Sequence, residues 1–490
     1  ADVVAASAEV AATSSRSAKI AVLGDLLKRL EPDEIAVVVG FLSGAPRQGR
    51  VGVGWSTVYK IDTTPADEPS IEVVEVDRAI DVVQTTTGPG SVTKRKEILT
   101  ALLRKATPDE ADFIRRLFTG EIRQGALAGL MIDAVAKAAG VPGDITRRAL
   151  MLSGDLPATA RVALTEGEDG LRAIGFEIFR PVLPMLASTA ENVTVAMSEF
   201  EMSSVEWKLD GIRIQVHRRG DEVRIYTRNL NEIEMPGIAG QIRSLKVEQV
   251  VLDGEALGFF DDETPLTFQE TVSKGSAPRG FLFDVLHLDG ADLLDAPLAT
   301  RRARLEAIAP DLCIPGAITN DPDEAQTTLE AALDAGHEGV VVKDLASSYI
   351  AGRRGKSWRK VKPHRTFDLV VLAAEWGHGR RRGWLSNLHL GARDATTGDF
   401  VMVGKCFKGL TDELLDYQTK ALLQLETHRE GIAVFVRPEL VVEIALDGVQ
   451  TSTRYPGGVA LRFARVRRYR PDKLPEDADV LDDLRALLRR

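Results

Sequence analysis

The hydrophobic pattern of this chain changes period once, and that change limits what it can fold into. Up to residue 188 apolar residues recur at helical spacing, as in AVLGDLLKRL (21–30) and KEILTALLRKA (96–106). TTPADEPS (63–70) and TTTGPGSV (85–92) supply the breaks between helices. FRPVLPMLAS (179–188) reads as a proline-punctuated linker. Beyond it the pattern alternates: Ile212, Ile214 and Val216 with polar residues between them, then Val223 and Ile225. VVLDGEALGF and EGVVVKD are short, Val-rich and bounded by glycine, as strands of a mixed α/β region are. From FDLVVLAAEW (367–376) onward, LHLGARD, FVMVGKCF, AVFVRP and LVVEIAL give about five strands in about 100 residues, the size of a small closed barrel. Three regions are therefore expected: 1–188 all-helical, 189–366 α/β and 367–490 a β-barrel.

A length of 490 residues fits such a division, and 44% apolar with 27% charged residues is the composition of a globular protein. No apolar run approaches the roughly 20 residues of a membrane span. ADVVAASAEV lacks the basic segment and apolar core of a secretory leader. A cytoplasmic, monomeric protein without a membrane partner is expected. Two isolated cysteines, Cys313 and Cys406, exclude a four-thiolate zinc site and read as reduced thiols.

The net charge of −10 argues against a polyanionic partner, but the distribution reverses this. Residues 353–365 hold seven Lys or Arg and no acid, Arg380, Arg381 and Arg382 follow, and residues 462–470 add five arginines. Basic stretches segregated on an acidic chain suggest local polyanion sites. The helical region also contains a duplication: PDEIAVVVGFLSGAPRQG (32–49) matches PDEADFIRRLFTGEIRQG (108–125) at an offset of 76. Each copy predicts a capped helix ending in glycine. The turns after these helices, with Arg47 and Arg123, either grip two phosphates or simply stop the helices.

KLDGIR (208–213) is succeeded in order by VLDGEAL (251–257), FLFDVLHLDG (281–290), EGVVVK (338–343), SWRKVK (357–362) and RFARVRRYRPDK (462–473). Together these resemble the ordered motifs of the covalent nucleotidyltransferases, and most fully the ATP-dependent DNA ligases of the replicative eukaryotic and archaeal type, over nearly the whole chain. The resemblance implies an N-terminal DNA-binding domain, an adenylation domain and a C-terminal OB-fold barrel. It implies sealing of single-strand nicks in duplex DNA, in replication, repair or recombination, using ATP and Mg²⁺ or Mn²⁺. The NAD-dependent ligases would need four zinc cysteines. Capping guanylyltransferases and most RNA ligases lack the duplicated helical region. A DNA-end-binding scaffold would not need the intact Lys208, Glu255, Glu338 and Lys360.

By this resemblance Lys208 attacks the α-phosphate of ATP and forms a lysine–AMP adduct. A lysine nucleophile must be neutral, and neighbouring cations with partial burial favour that state. Glu206 shares a face with Lys208 on an extended segment, and the resemblance implies that it meets the adenine edge. Arg213 and Arg228 would contact ribose and phosphates, Glu255 the ribose or a metal, and Phe283 would stack on adenine. Glu338 would be the second metal ligand. Arg354, Lys360 and Lys362 would hold phosphates, the two lysines pointing the same way on a strand. Arg468, Arg470, Asp472 and Lys473 would orient the leaving pyrophosphate. Leu209, Ala464 and Pro471 depart from the family's usual residues but spare the charged groups.

Overall fold

The computed structural model describes residues 1–49, 53–120, 122, 128–260, 265–266, 271, 277–351, 354–362 and 365–489, with the backbone alone at Trp55, Ser56, Arg354 and Arg489. Contacts gather into two compact units, one of residues 1–331 with 340–360, the other of residues 332–339 with 361–490.

Among the described residues the first unit opens with ten helices: α1 (Asp2–Ala12), α2 (Arg16–Leu27), α3 (Pro32–Ser43), α4 (Trp55–Tyr59), α5 (Val73–Thr85), α6 (Ser91–Arg104), α7 (Pro108–Thr119), α8 (Ala128–Ala139), α9 (Gly143–Ser153) and α10 (Leu156–Ala173). The duplicated segments form the matching pair α3 and α7. Each starts at a proline and is closed by a reciprocal cap, in which Glu34 accepts from the Glu31 amide at 3.1 Å and Glu110 from the Thr107 amide at 3.1 Å. Each ends on a left-handed glycine, Gly44 (φ 74°) and Gly120 (φ 71°), as the last carbonyls of a helix require. Leu23, Val38, Phe41, Ile80, Leu103, Phe113, Met131 and Val135 build one core from six of these helices.

Arg47, at the turn after α3, is engaged within the protein. Its guanidinium donates to both carboxylate oxygens of Asp77 on α5, at 2.6 to 3.0 Å, and also pairs with Asp81. Arg123, its counterpart in the second copy, lies outside the described residues.

Among the described residues two sheets complete the first unit. β1 (Leu186–Thr189), β2 (Ser203–Trp207), β9 (Gly316–Thr319), β10 (Val340–Asp344) and β11 (Arg354–Val361) form one, in the order β1-β11-β10-β2-β9. β3 (Ile212–Arg219), β4 (Glu222–Thr227), β5 (Glu232–Ile233), β6 (Gln249–Leu257), β7 (Arg279–Leu288) and β8 (Ala291–Asp292) form the other, in the order β5-β4-β3-β6-β7-β8. Period-two alternation on β6 sorts its side chains. Val250, Leu252 and Ala256 join a core with Ile238 and Leu305 of the helices Pro236–Arg243 and Leu298–Ile308, whereas Val251 and Leu257 join Phe283, Tyr349 and Trp358 in a core shared with the first sheet.

FRPVLPMLAS is not a free linker. The His217 ring accepts from the Phe179 amide at 2.9 Å, Gln215 bonds both the amide and the carbonyl of Val182, and the Tyr226 hydroxyl donates to the Phe179 carbonyl at 2.9 Å. Its last residues enter β1, so position 188 lies inside a strand. Helices and sheets share contacts: Arg148 on α9 donates two 2.7 Å bonds to Asp295, and Met151 and Leu152 enter the core of the cleft.

The second unit is mostly sheet. β12 (Arg365–Trp376) pairs along one edge with β13 (Leu385–Arg393), which pairs with β14 (Phe400–Cys406). Along its other edge β12 splits its pairing between β16 (Ala433–Val436) and β17 (Val441–Leu446); β15 (Glu426–Glu430) extends β16, and β20 (Arg465–Tyr469) extends β17. β18 (Gly448–Thr451) and β19 (Val459–Arg462) make a separate pair. Leu369, Leu388, Val403 and Ile444 form the core with Leu415 of the helix Asp412–Gln424 and Leu484 near the C-terminus.

The expected closed barrel is not found. Among the described residues the ladder from β14 to β20 does not return on itself. The physical reason lies at the edge of β14, where the β18–β19 pair packs: the Gly457 amide donates to the Met402 carbonyl at 3.1 Å, and Gly404 faces Leu461. β20 meets the segment after β14 through the Val466 amide and the Lys408 carbonyl, at 2.9 Å, in place of a paired edge. The sequence also under-counts strands here, because β15, β18, β19 and β20 are only four or five residues long, and β15 and β20 carry mostly polar residues.

Candidate active site

Residues of both sheets of the first unit line a cleft of about 260 Å³. β1 contributes Leu186 and Ala187, β2 contributes Glu206 and Trp207, and the bend just after β2 carries Lys208 and Leu209. Arg213 comes from β3, Arg228 from the turn after β4, Glu255 from β6 and Phe283 from β7. Val341 and Lys343 of β10, and Trp358 and Lys360 of β11, line the wall at i, i+2 spacing, as strand geometry demands. Gly211 sets how closely the Lys208 bend approaches β6: a Cβ there would stand 2.3 Å from the Ala256 carbonyl oxygen and 3.0 Å from Glu255 Cγ. Only glycine lets KLDGIR lie against the strand that presents Glu255.

Five cationic side chains face two carboxylates in this cleft. Such a balance in a concave, partly apolar site suits a polyanion with an apolar body. The supporting network is buried. Arg213 makes a two-point contact with Asp253, at 2.9 and 2.6 Å, and donates to the Met185 carbonyl at 2.8 Å. Burial opposes charge on Arg213, but Asp253 overrides it and raises its pKa. The Tyr349 hydroxyl donates to Asp253 at 2.7 Å and accepts from the Met185 amide at 3.0 Å. Burial pushes the Glu255 carboxyl up to about 7, against the pull of Arg213 and Lys208. Lys343 is 2% exposed, and burial lowers its pKa. Its ammonium pairs with Glu206 and stands 4.3 and 4.2 Å from the ring centres of Phe283 and Trp358.

Residues 57–136 match the family described as DNA ligase N terminus, residues 184–362 the ATP dependent DNA ligase domain, and residues 381–473 the ATP dependent DNA ligase C terminal region. The chain is 56% identical to a probable DNA ligase of Saccharopolyspora erythraea, over 99% of this chain and 97% of that one. The chain belongs to the ATP-dependent DNA ligases. A probable DNA ligase of Rhodococcus jostii is 53% identical over 99% of both chains. Among solved structures, Pmar-Lig_PreS3 shares the fold at a TM-score of 0.65 and 18% identity, over 96% of this chain and 99% of that one.

The cleft of this ligase gathers seven of the residues singled out from the sequence: Glu206, Lys208, Arg213, Arg228, Glu255, Phe283 and Lys360. Arg354 begins β11, with its backbone beside Leu186. Glu338 and Lys362 belong to the second unit and pair with each other at 2.6 Å, with Asp447 3.7 Å from the same lysine. The closing motif is bound within the second unit. Arg468 pairs with Glu443 at 2.8 Å, Arg470 with Asp472 at 2.7 Å, and Asp368 receives both Arg470 (2.9 Å) and Lys473 (2.6 Å). Arg470 holds the Asp472 carboxyl down at about 2.

Sequence reasoning missed Lys343, Trp358, Asp253, Tyr349 and Arg302. The first three stand inside motifs that were recognised, and their part shows only in the pairing. Asp253 finds Tyr349 96 residues away, and Glu206 finds Arg302 at the same separation.

Proposed function

We propose that this ligase seals single-strand nicks in duplex DNA through a covalent AMP adduct on Lys208. The observation that carries the reading is the cleft that places Lys208 among four further cations, two carboxylates and the aromatic wall of Phe283 and Trp358. The cations bind and orient the triphosphate, and the aromatic wall takes the base, with Glu206 at its edge. The Lys208 amine forms a bond to the α-phosphorus, the bond to pyrophosphate breaks, and the amine proton leaves. The AMP then passes to the 5′-phosphate of the nick, freeing Lys208. Attack by the 3′-hydroxyl closes the phosphodiester and releases AMP. Fixed charges at phosphorus are the protein's main contribution.

Glu255 and Glu338 are the proposed holders of Mg²⁺ or Mn²⁺. Glu255 fits, being a half-buried oxygen donor on the cleft wall whose ionised form a bound cation would favour. Mg²⁺ beside a nucleotide is usually held by one or two carboxylates together with phosphate oxygens. When bound, such an ion neutralises developing phosphate charge.

Arg354, Lys360 and Lys362 are read as phosphate contacts, and Arg468, Asp472 and Lys473 as groups serving pyrophosphate release. The helical region is the DNA-binding domain in this reading, and the C-terminal unit an opened OB-fold derivative, with domain limits near 188 and 366. Replication, repair or recombination in the cytoplasm, at the nucleoid in a bacterium, by a monomer, completes the proposal. No described helix is long and apolar enough to cross a membrane.

The test is the adduct. Lys208→Ala and Lys208→Arg should both abolish the mass increase of one AMP on incubation with ATP and Mg²⁺, the second because guanidinium stays protonated. An adduct of normal yield in either variant refutes the assignment.

A further inference from the structure

The helix Leu298–Ile308 carries an arginine that reaches beneath the cleft. Arg302 is 8% exposed, and its Nη1 donates to Glu206 Oε1 at 2.7 Å and to Ser204 Oγ at 3.2 Å. The Ser204 hydroxyl itself donates to Glu206 Oε1 at 2.8 Å. At its outer end, Arg302 Nε donates at 2.8 Å to Glu306, one turn further along the same helix. Glu206 is 1% exposed, and its other oxygen, Oε2, is the one paired with Lys343, a residue of the cleft wall. A surface carboxylate thus fixes a buried guanidinium, which fixes one oxygen of Glu206 and leaves the other on the cleft side.

We infer that Arg302 is a positioning residue that sets the nucleobase choice of this ligase through Glu206. A carboxylate accepts and does not donate. Held in one orientation, it takes a base with an exocyclic amino donor at that edge and disfavours one that presents a carbonyl there. Without Arg302 the carboxylate keeps Ser204 and Lys343 but is free to turn, and the selection weakens. The inference rests on the reading of Glu206 as the base-edge contact.

The experiment compares ATP with purine riboside triphosphate, which lacks only the 6-amino group. The second-order rate of Lys208–AMP formation is measured on the full chain. The wild type should prefer ATP about ten-fold or more, the worth of one hydrogen bond to a charged acceptor. Arg302→Gln should bring that ratio within about two-fold of unity, chiefly through KM for ATP. Arg302→Lys should fall between them, because a lysine lacks the fork that spans Glu206 and Glu306. Glu306→Gln, at the half-exposed end, should lower the ratio about two-fold while leaving the fold intact; it decides the matter if Arg302→Gln does not fold. Equal losses for both nucleotides, with the ratio preserved, would mean that Arg302 only supports the fold, and would overturn the inference. A wild type that does not discriminate would remove the Glu206 reading and the inference together, whereas a discriminating wild type with discriminating variants removes the inference alone.

Discussion

Glu255 stands on the cleft face of β6 at a cost to the fold. Its carboxyl titrates near 4.5 in an open chain and is pushed up to about 7 by burial in the folded protein. A carboxyl raised on folding lends stability that is complete below about 4.5 and is lost as pH rises through about 7. At pH 8 the ionised group costs up to roughly 3 kcal/mol. Glu255→Gln should therefore raise the melting temperature by a few degrees at pH 8 and hardly at all at pH 4.5. The same variant should lower nick sealing by about 10²-fold or more. A thermal gain independent of pH, measured by calorimetry at both values, would refute this account of the carboxyl. The cleft residues proposed for the chemistry were the legible ones, because nucleotidyl transfer needs a lysine, carboxylates and cations in fixed local order. Arg302 and Tyr349 were not legible. An arginine on an amphipathic helix and a tyrosine in a loop carry no local sign of a buried partner 96 residues distant.

At the scale of elements, the duplication was legible as paired helices because caps and glycine stops are local chemistry. The role of the turn after α3 was not legible. The sequence left Arg47 between a phosphate grip and a simple helix stop, and the structure commits it to Asp77, which is 5% exposed. Removing one partner of such a pair leaves a buried carboxylate supported by Gln48 at 2.8 Å and little else. Arg47→Ala should therefore destabilise the helical region by about 2 kcal/mol, a figure reduced because Arg47 itself is half exposed. The salt dependence of binding to nicked duplex should stay unchanged. Urea unfolding and a salt titration decide between the roles: a slope lower by about one unit with unchanged stability would restore the phosphate contact. The segment 179–188 shows the same limit. Its prolines announce an extended chain, but its attachment depends on His217, Gln215 and Tyr226, polar residues of strands whose alternation shows only that they leave the core.

For the whole molecule the question is which step each unit serves. Lys208 and the cleft around it lie in the first unit, and the closing motif lies in the second. If that motif serves the leaving pyrophosphate, its groups act in adduct formation and in no later step, since pyrophosphate exists only there. Lys473 and Arg470 share Asp368, so removing Lys473 leaves that carboxylate an arginine partner and should spare the fold. Asp472 is exposed and holds Arg470 in a two-point contact, so its loss removes one of the two carboxylates that orient Arg470 and leaves Asp368 as the other. The double variant Asp472→Ala, Lys473→Ala should melt within a few degrees of the wild type and form the lysine–AMP adduct slowly. Given a nick that already carries 5′-AMP, it should seal at close to the wild-type rate. Rapid-quench measurement of the two reactions separates the steps. Equal losses in both would assign the motif to DNA contact or to the fold, and the division of labour between the units would have to be abandoned.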